Sequence, residues 1–176
     1  MNIFLIGFMG SGKSTIGRLL ATKQGINFID VDQVIEEKYK KSIGEIFAIE
    51  GETRFREIEH NTLQNNLDNN ISSVVSVGGG LPCFHENMDL MNSKGITVYL
   101  KMSAEAIYSR LVALSEQSRA LRPLIANKSN EELKVYISET LIKREPFYNQ
   151  AKLVISNENS DVSLCVSRIK QAISYF

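Results

Sequence analysis

The sequence predicts an α/β protein: three layers, α/β/α, around a central five-stranded parallel sheet. Two observations carry this. Apolar runs alternate with helical patterns along the whole chain, strand then helix. The runs are continuous in Val, Ile, Leu and Phe rather than alternating with polar residues, as strands covered on both faces are. At 176 residues, one domain spanning 1–176 can bury a sizeable core.

The elements follow in order. Residues 3–6 read as a buried strand, and 15–24 as a helix with Ile16, Leu19 and Leu20 at helical spacing and Gly25 as its stop. A short strand is expected over 27–31 and a helix over 33–40. Ser42 and Glu45 form a capping box for a helix over 43–50, which Gly51 ends. An amphipathic helix over 53–67 leads to a strand over 72–77 that runs into Gly78, Gly79 and Gly80. A short helix over 86–91, a strand over 96–101 and a helix over 104–114 opened by Ser103 come next. Residues 115–128 are polar and irregular around Pro123 and are expected to form a mobile lid. A long helix over 131–144, a last strand over 153–155 and a closing helix over 162–175 complete the chain. Right-handed crossovers then bring ligands to the carboxyl ends of the strands, where 7–14, 30–32 and 78–80 all lie.

Composition narrows the function. Hydrophobic residues make up 43% and charged residues 23%, ordinary for a globular chain. The 20 acidic and 20 basic residues cancel, which argues against a general nucleic-acid or polybasic membrane binder. No run approaches the ~18 apolar residues of a membrane span, and the start of the chain lacks a basic segment before its short apolar run. Cys83 and Cys165 are far apart without zinc spacing and read as free thiols of a reducing compartment. The expectation is a cytoplasmic monomer that acts on small molecules, with no nucleic-acid or membrane partner.

Gly7-Phe8-Met9-Gly10-Ser11-Gly12-Lys13-Ser14 matches G-x-x-x-x-G-K-[ST] in full, between a strand and a helix. Glycines let the backbone curl so that its N–H groups point at phosphate oxygens, and the helix N-terminus adds partial positive charge. Lys13 can neutralise the β- and γ-phosphates, and Ser14 can supply an oxygen to Mg²⁺. The motif specifies a nucleoside triphosphate and leaves the acceptor open.

Other residues bear on the acceptor. Asp30 and Asp32 are two apart, so both carboxylates face the ligand edge if the strand continues; one can hold hydrated Mg²⁺ and the other contact a substrate hydroxyl, or Asp32 caps the next helix. Arg56 and Glu59 are spaced to meet on one helix face, either as a surface ion pair or with Glu59 steadying Arg56 for a bidentate grip on a carboxylate. Gly78, Gly79 and Gly80 read as a plain turn or as a close approach of backbone to ligand. Arg119 and Arg122 are candidates for closing over the triphosphate. Arg144, at a helix end before Pro146, is a dipole partner or a second anion-binding arginine. His60 and His85 read as structural or solvated, and Lys38, Lys40 and Lys41 as a solvated face.

Together these motifs resemble the shikimate kinase family, in the nucleoside-monophosphate-kinase-like branch of P-loop folds. The resemblance runs over about residues 3–155. It rests on the phosphate loop, Phe28-x-Asp30-x-Asp32, Gly51-x-x-x-Phe55-Arg56-x-x-Glu59, the triple glycine, Arg122-Pro123-Leu124, and Arg144 before Pro146 and Tyr148. It implies a P-loop kinase fold with substrate-binding helices at about 32–60, and phosphorylation of the shikimate 3-hydroxyl by ATP with Mg²⁺. In ATP binding it implies roles for Gly10, Ser11, Gly12, Lys13, Ser14 and Thr15, with Arg110 stacking on adenine and Arg122 reaching the phosphates from the lid. Asp30 would reach Mg²⁺ through water beside Ser14. Asp32, Arg56, Gly78, Gly79, Gly80 and Arg144 would bind shikimate, with Glu59 orienting Arg56. Lys13, Asp32 and Arg122 would be the catalytic set. Adenine contacts are also implied near Asn157 and Asn159. A gluconate kinase of the same fold and a nucleotide-dependent switch ATPase are the competing readings.

Overall fold

The structure is a computed structural model describing residues 1–67, 71–84, 86–115, 118, 122, 124–158 and 161–176. The readings of His85, Arg119, Pro123 and Asn159 fall outside the described residues.

Strands β1 (Asn2–Ile6), β2 (Asn27–Asp30), β3 (Ser73–Ser76), β4 (Gly95–Lys101) and β5 (Leu153–Ser156) pair in the order β2-β3-β1-β4-β5, every pair parallel. The register sets Phe4 opposite Val75 and Thr97, and Leu5 opposite Ser76 and Val98. Successive side chains point to opposite faces, so each apolar run feeds two cores. Ile3, Leu5, Val74, Ile96, Val98 and Leu100 face one layer; Phe4, Ile6, Val75 and Tyr99 face the other. This is why β1 is apolar at every position but its first: Phe4, Leu5 and Ile6 are each 0% exposed, and burying such a side chain is worth about 1.5–3 kcal/mol.

Helices α1 (Lys13–Gln24) and α7 (Val162–Ile173) cover the first face, through Ile16, Leu20, Val166 and Ile169. The other face is covered by α2 (Val31–Tyr39), α3 (Ile43–Asn65), α4 (Asn87–Lys94), α5 (Ala104–Val112) and α6 (Asn130–Tyr148). The Ser42–Glu45 capping box forms as expected. Gly51 breaks the helical conformation inside α3 with φ 75° and ψ 172°, so α3 is two helices joined at a kink.

Three boundaries differ in ways that matter. β2 stops at Asp30, and Val31 already belongs to α2. The acidic pair therefore sits on a strand-to-helix turn rather than on one strand face. α6 runs through Pro146 to Tyr148, so Arg144 is not at its end and the last turn holds no basic residue. The dipole reading of Arg144 is thus set aside. α4 begins at Asn87 and extends to Lys94, three residues beyond the expected end at 91. No helix among the described residues is long and apolar enough to cross a membrane.

Candidate active site

All five strands end on one edge, and the functional side chains gather there. The loop after β1 turns through Gly7 (φ 142°), Gly10 (φ 80°) and Gly12 (φ 89°). Gly12 is the N-cap of α1 and no side chain caps it, so the first-turn amides face outward. Side chains hold the loop carbonyls. Lys13 Nζ donates to Gly7 O at 2.9 Å and Phe8 O at 3.0 Å. Arg110 Nη1 donates to Gly10 O at 3.0 Å, and Asn157 Nδ2 to Ser11 O at 2.8 Å. Four loop carbonyls are thus held by side chains, and Ser11 N–H closes on Phe8 O at 3.2 Å, which keeps the loop curled as a phosphate site requires. Burial pulls the Lys13 ammonium down to about 8, against the attraction of Asp32 and Asp30.

Ser14 Oγ donates to Asp30 Oδ2 at 2.6 Å and lies 3.5 Å from Ser76 Oγ. Asp30 holds the N-cap position of α2 without capping it; its carboxylate is turned to Ser14 instead. Asp32 lies in the first turn of α2. Burial, reinforced by the Asp30 charge, pushes its carboxyl up to about 6, while Lys13 and Arg56 pull the other way.

The triple glycine is explained by charge packed against it. A Cβ on Gly78 would lie 2.5 Å from Glu59 Oε1 and 3.1 Å from Asp32 Oδ1. On Gly79 it would meet Arg144 Nη1 and Gly7 O, both at 3.2 Å, and on Gly80 it would meet Arg56 Nη2 at 2.6 Å. Four charged side chains, Asp32, Arg56, Glu59 and Arg144, thus rest against this backbone, where a Cβ would crowd them.

Arg56 and Glu59 are not a surface pair. They are 5% and 1% exposed, with Arg56 Nη1 donating to Glu59 Oε2 at 2.6 Å. A pair so buried costs desolvation that its attraction barely offsets, so stability does not explain it. Burial pushes the Glu59 carboxyl up, with Arg56 opposing. Burial lowers the Arg56 guanidinium, but Glu59 and Glu52 outweigh it and the net shift is upward. Glu52, which the sequence reading gave no role, accepts from Arg56 Nη2 at 3.1 Å from an exposed position. Arg56 Nε and Arg122 Nε are buried with no hydrogen-bond partner among the described residues. Burial lowers the Arg122 guanidinium, with Asp32 opposing.

Asp32, Arg56, Glu59, Arg122 and Arg144 line one cavity of about 790 Å³, floored by Gly78, Gly79 and Gly80. Its far wall is Ile43, Phe47 and Phe55 of α3, and Glu36, Lys40 and Lys41 stand at the same cavity. The two lysines are exposed, as expected of a solvated stretch, but they face this cavity. Thr15 is exposed in the first turn of α1, and Arg110 also donates to Asn157 O at 2.9 Å, joining the phosphate loop to the end of β5. His60 Nδ1 pairs with Asn87 Oδ1 at 2.6 Å, a structural contact. Cys83 and Cys165 are free. The sequence reading also passed over the link from Tyr148 to Gly79 and the hold of Asn157 on Ser11. Only the spacing of Arg144 and Tyr148, one helical turn apart, hints at the first.

A family model described as shikimate kinase matches residues 9–174. The chain is 51% identical over 152 residues to a shikimate kinase of Azobacteroides pseudotrichonymphae, covering 86% of this chain and 87% of that one. It is 43% identical over 171 residues to a shikimate kinase of Parabacteroides distasonis, covering 97% and 96%. Among solved structures, shikimate kinase from Bacteroides thetaiotaomicron superposes with a TM-score of 0.89 at 37% identity, over 99% of this chain and 98% of that one. Shikimate kinase from Acinetobacter baumannii in complex with shikimate gives a TM-score of 0.86 at 32% identity, over 99% and 93%.

Proposed function

The chain belongs to the shikimate kinase family, and on that premise we propose how its site passes the γ-phosphoryl group of ATP to the 3-hydroxyl of shikimate. The products are shikimate 3-phosphate and ADP, a step of aromatic amino acid biosynthesis. One observation carries the residue assignment: three arginines, a buried glutamate and an aspartate line a single cavity with the triple glycine beside the phosphate loop.

The acceptor is a carboxylate-bearing polyol. Arg56, steadied through Nη1 by Glu59, keeps its unpaired Nε for the carboxylate, and Arg144 supplies a second cation. Gripping the carboxylate fixes the ring, so that one hydroxyl is held in line with the γ-phosphate. Asp32 orients that hydroxyl and can take its proton. A loose transition state asks mainly for positioning and charge neutralisation, which Lys13 and Arg122 provide. Gly10, Ser11, Gly12 and Thr15 hold the triphosphate through loop and helix amides, and Arg110 lies beside the loop where the base would rest on it. Arg122 would reach the phosphates from the lid expected at about 115–128, of which 116–117, 119–121 and 123 lie outside the described residues.

The donor set of Ser14 and Asp30, both oxygens with Ser76 nearby, fits Mg²⁺, which favours hard oxygen ligands and keeps several waters. When bound, the ion would neutralise charge on the β- and γ-phosphates. Among the described residues no three His, Cys, Asp or Glu side chains gather as a metal site. That suits an ion held largely by phosphate oxygens and water. The free cysteines and the dependence on ATP support a cytoplasmic location.

A coupled ADP-release assay with shikimate, gluconate or no acceptor tests the reading. ADP release is expected with shikimate alone. Equal turnover on gluconate would point to the related kinase, and steady release without acceptor to a switch ATPase.

A further inference from the structure

We propose that Tyr148 is a positioning residue for the acceptor, its hydroxyl fixing the Gly79 carbonyl, beside which the Arg144 guanidinium rests, so that two walls of the cavity are set together. The inference rests on reading Arg144 as a carboxylate-binding arginine.

Tyr148 is 0% exposed, in the last turn of α6, four residues after Arg144 and therefore on the same helix face. Its hydroxyl donates to Gly79 O at 2.5 Å, and Gly79 is the residue against which the Arg144 guanidinium packs. The ring packs on Tyr99 at 5.0 Å between centroids, a contact that phenylalanine would also make. Packing thus accounts for the ring but not for the hydroxyl, whose partner Gly79 lines the acceptor cavity, as Arg144 does.

The neighbourhood gives the link its consequence. A Cβ on Gly79 would stand 3.2 Å from Arg144 Nη1 and 3.2 Å from Gly7 O. Gly79 is therefore wedged between the arginine and the phosphate loop. On its other side the Arg144 guanidinium lies 5.6 Å from the Phe8 ring centroid, and Phe8 belongs to that loop. Without the phenolic hydroxyl Gly79 O loses its donor, and Arg144 keeps the stacking contact but loses the fixed backbone it rests on. The phenol stays protonated throughout the working range, because burial pushes it well up.

The test is a kinetic double-mutant cycle of Tyr148→Phe and Arg144→Ala, with KM for shikimate and for ATP measured separately and Tm recorded for each protein. Tyr148→Phe is expected to raise the shikimate KM about tenfold with the ATP KM within about twofold. In the Arg144→Ala background the same change should add less than about twofold. A shikimate KM unchanged in Tyr148→Phe overturns the proposal, as does the same factor in both backgrounds, which would make the effect independent of Arg144. If Arg144→Ala alone leaves the shikimate KM unchanged, the assignment of Arg144 itself fails. Should Tyr148→Phe lower Tm, a rise of both KM values together marks a structural role and overturns the proposal. The split between them supports it.

Discussion

Asp32→Asn should make the empty protein more stable while it removes turnover. The carboxyl of Asp32 is raised from its ordinary 3.8 to about 6, first by burial and then by Asp30. A group whose folded-state value is raised binds its proton more tightly in the native than in the unfolded chain. Stability therefore falls as pH rises from 3.8 towards 6, and the full penalty persists above that window. At 1.36 kcal/mol for each tenfold change in proton affinity the ceiling is about 3 kcal/mol. Asp32 is only partly buried, and with that discount a gain of about 2 kcal/mol is the working figure. The loss of attraction to Lys13 and Arg56 is already contained in the raised value. For a chain of 176 residues this corresponds to a rise in Tm of about 4–8 °C at about pH 7.5, with roughly half the gain gone by about pH 5. Thermal unfolding of both proteins without nucleotide, at the two pH values, measures it. Turnover with saturating ATP and shikimate should fall by more than about 10²-fold, with ATP affinity within a few-fold. A variant less stable than the parent at neutral pH, or a gain equal at both pH values, would refute the burial argument. Near-normal turnover would remove Asp32 from the chemistry.

Two further outcomes are expected. Gly80→Ala puts a methyl 2.6 Å from Arg56 Nη2; the shikimate KM should rise more than about tenfold while the ATP KM stays within about twofold, and steady-state kinetics decide whether the glycine serves the guanidinium. Asn157→Leu removes the donor to Ser11 O and should weaken ADP binding about tenfold in a calorimetric titration without changing the shikimate KM; unaltered ADP affinity would show that the carbonyl needs no outside hold.

The sequence alone determined what depends on neighbours along the chain. Alternation of apolar runs and helical patterns specified five strands and a parallel, doubly covered sheet, because continuous Val, Ile, Leu and Phe can only be satisfied by cores on both faces. The capping box at Ser42, the break at Gly51 and the phosphate loop were legible because each is a local backbone requirement met by contiguous residues. The motif set of Asp32, Arg56, Gly78 to Gly80 and Arg144 was legible through resemblance, as residue types in a fixed order. Tertiary structure decided how those residues act on one another. Whether Arg56 and Glu59 formed an idle surface pair or a buried one turned on the layers packed over α3, and their 5% and 1% exposure answers it. The place of Asp32 on a helical turn rather than a strand face followed from where β2 stops pairing with β3. Gly79 meets Tyr148 across 69 residues of chain, and Asn157 meets Ser11 across 146. No local pattern encodes such pairs, because their distance is set by the parallel sheet, which gathers the carboxyl ends of remote strands onto one edge.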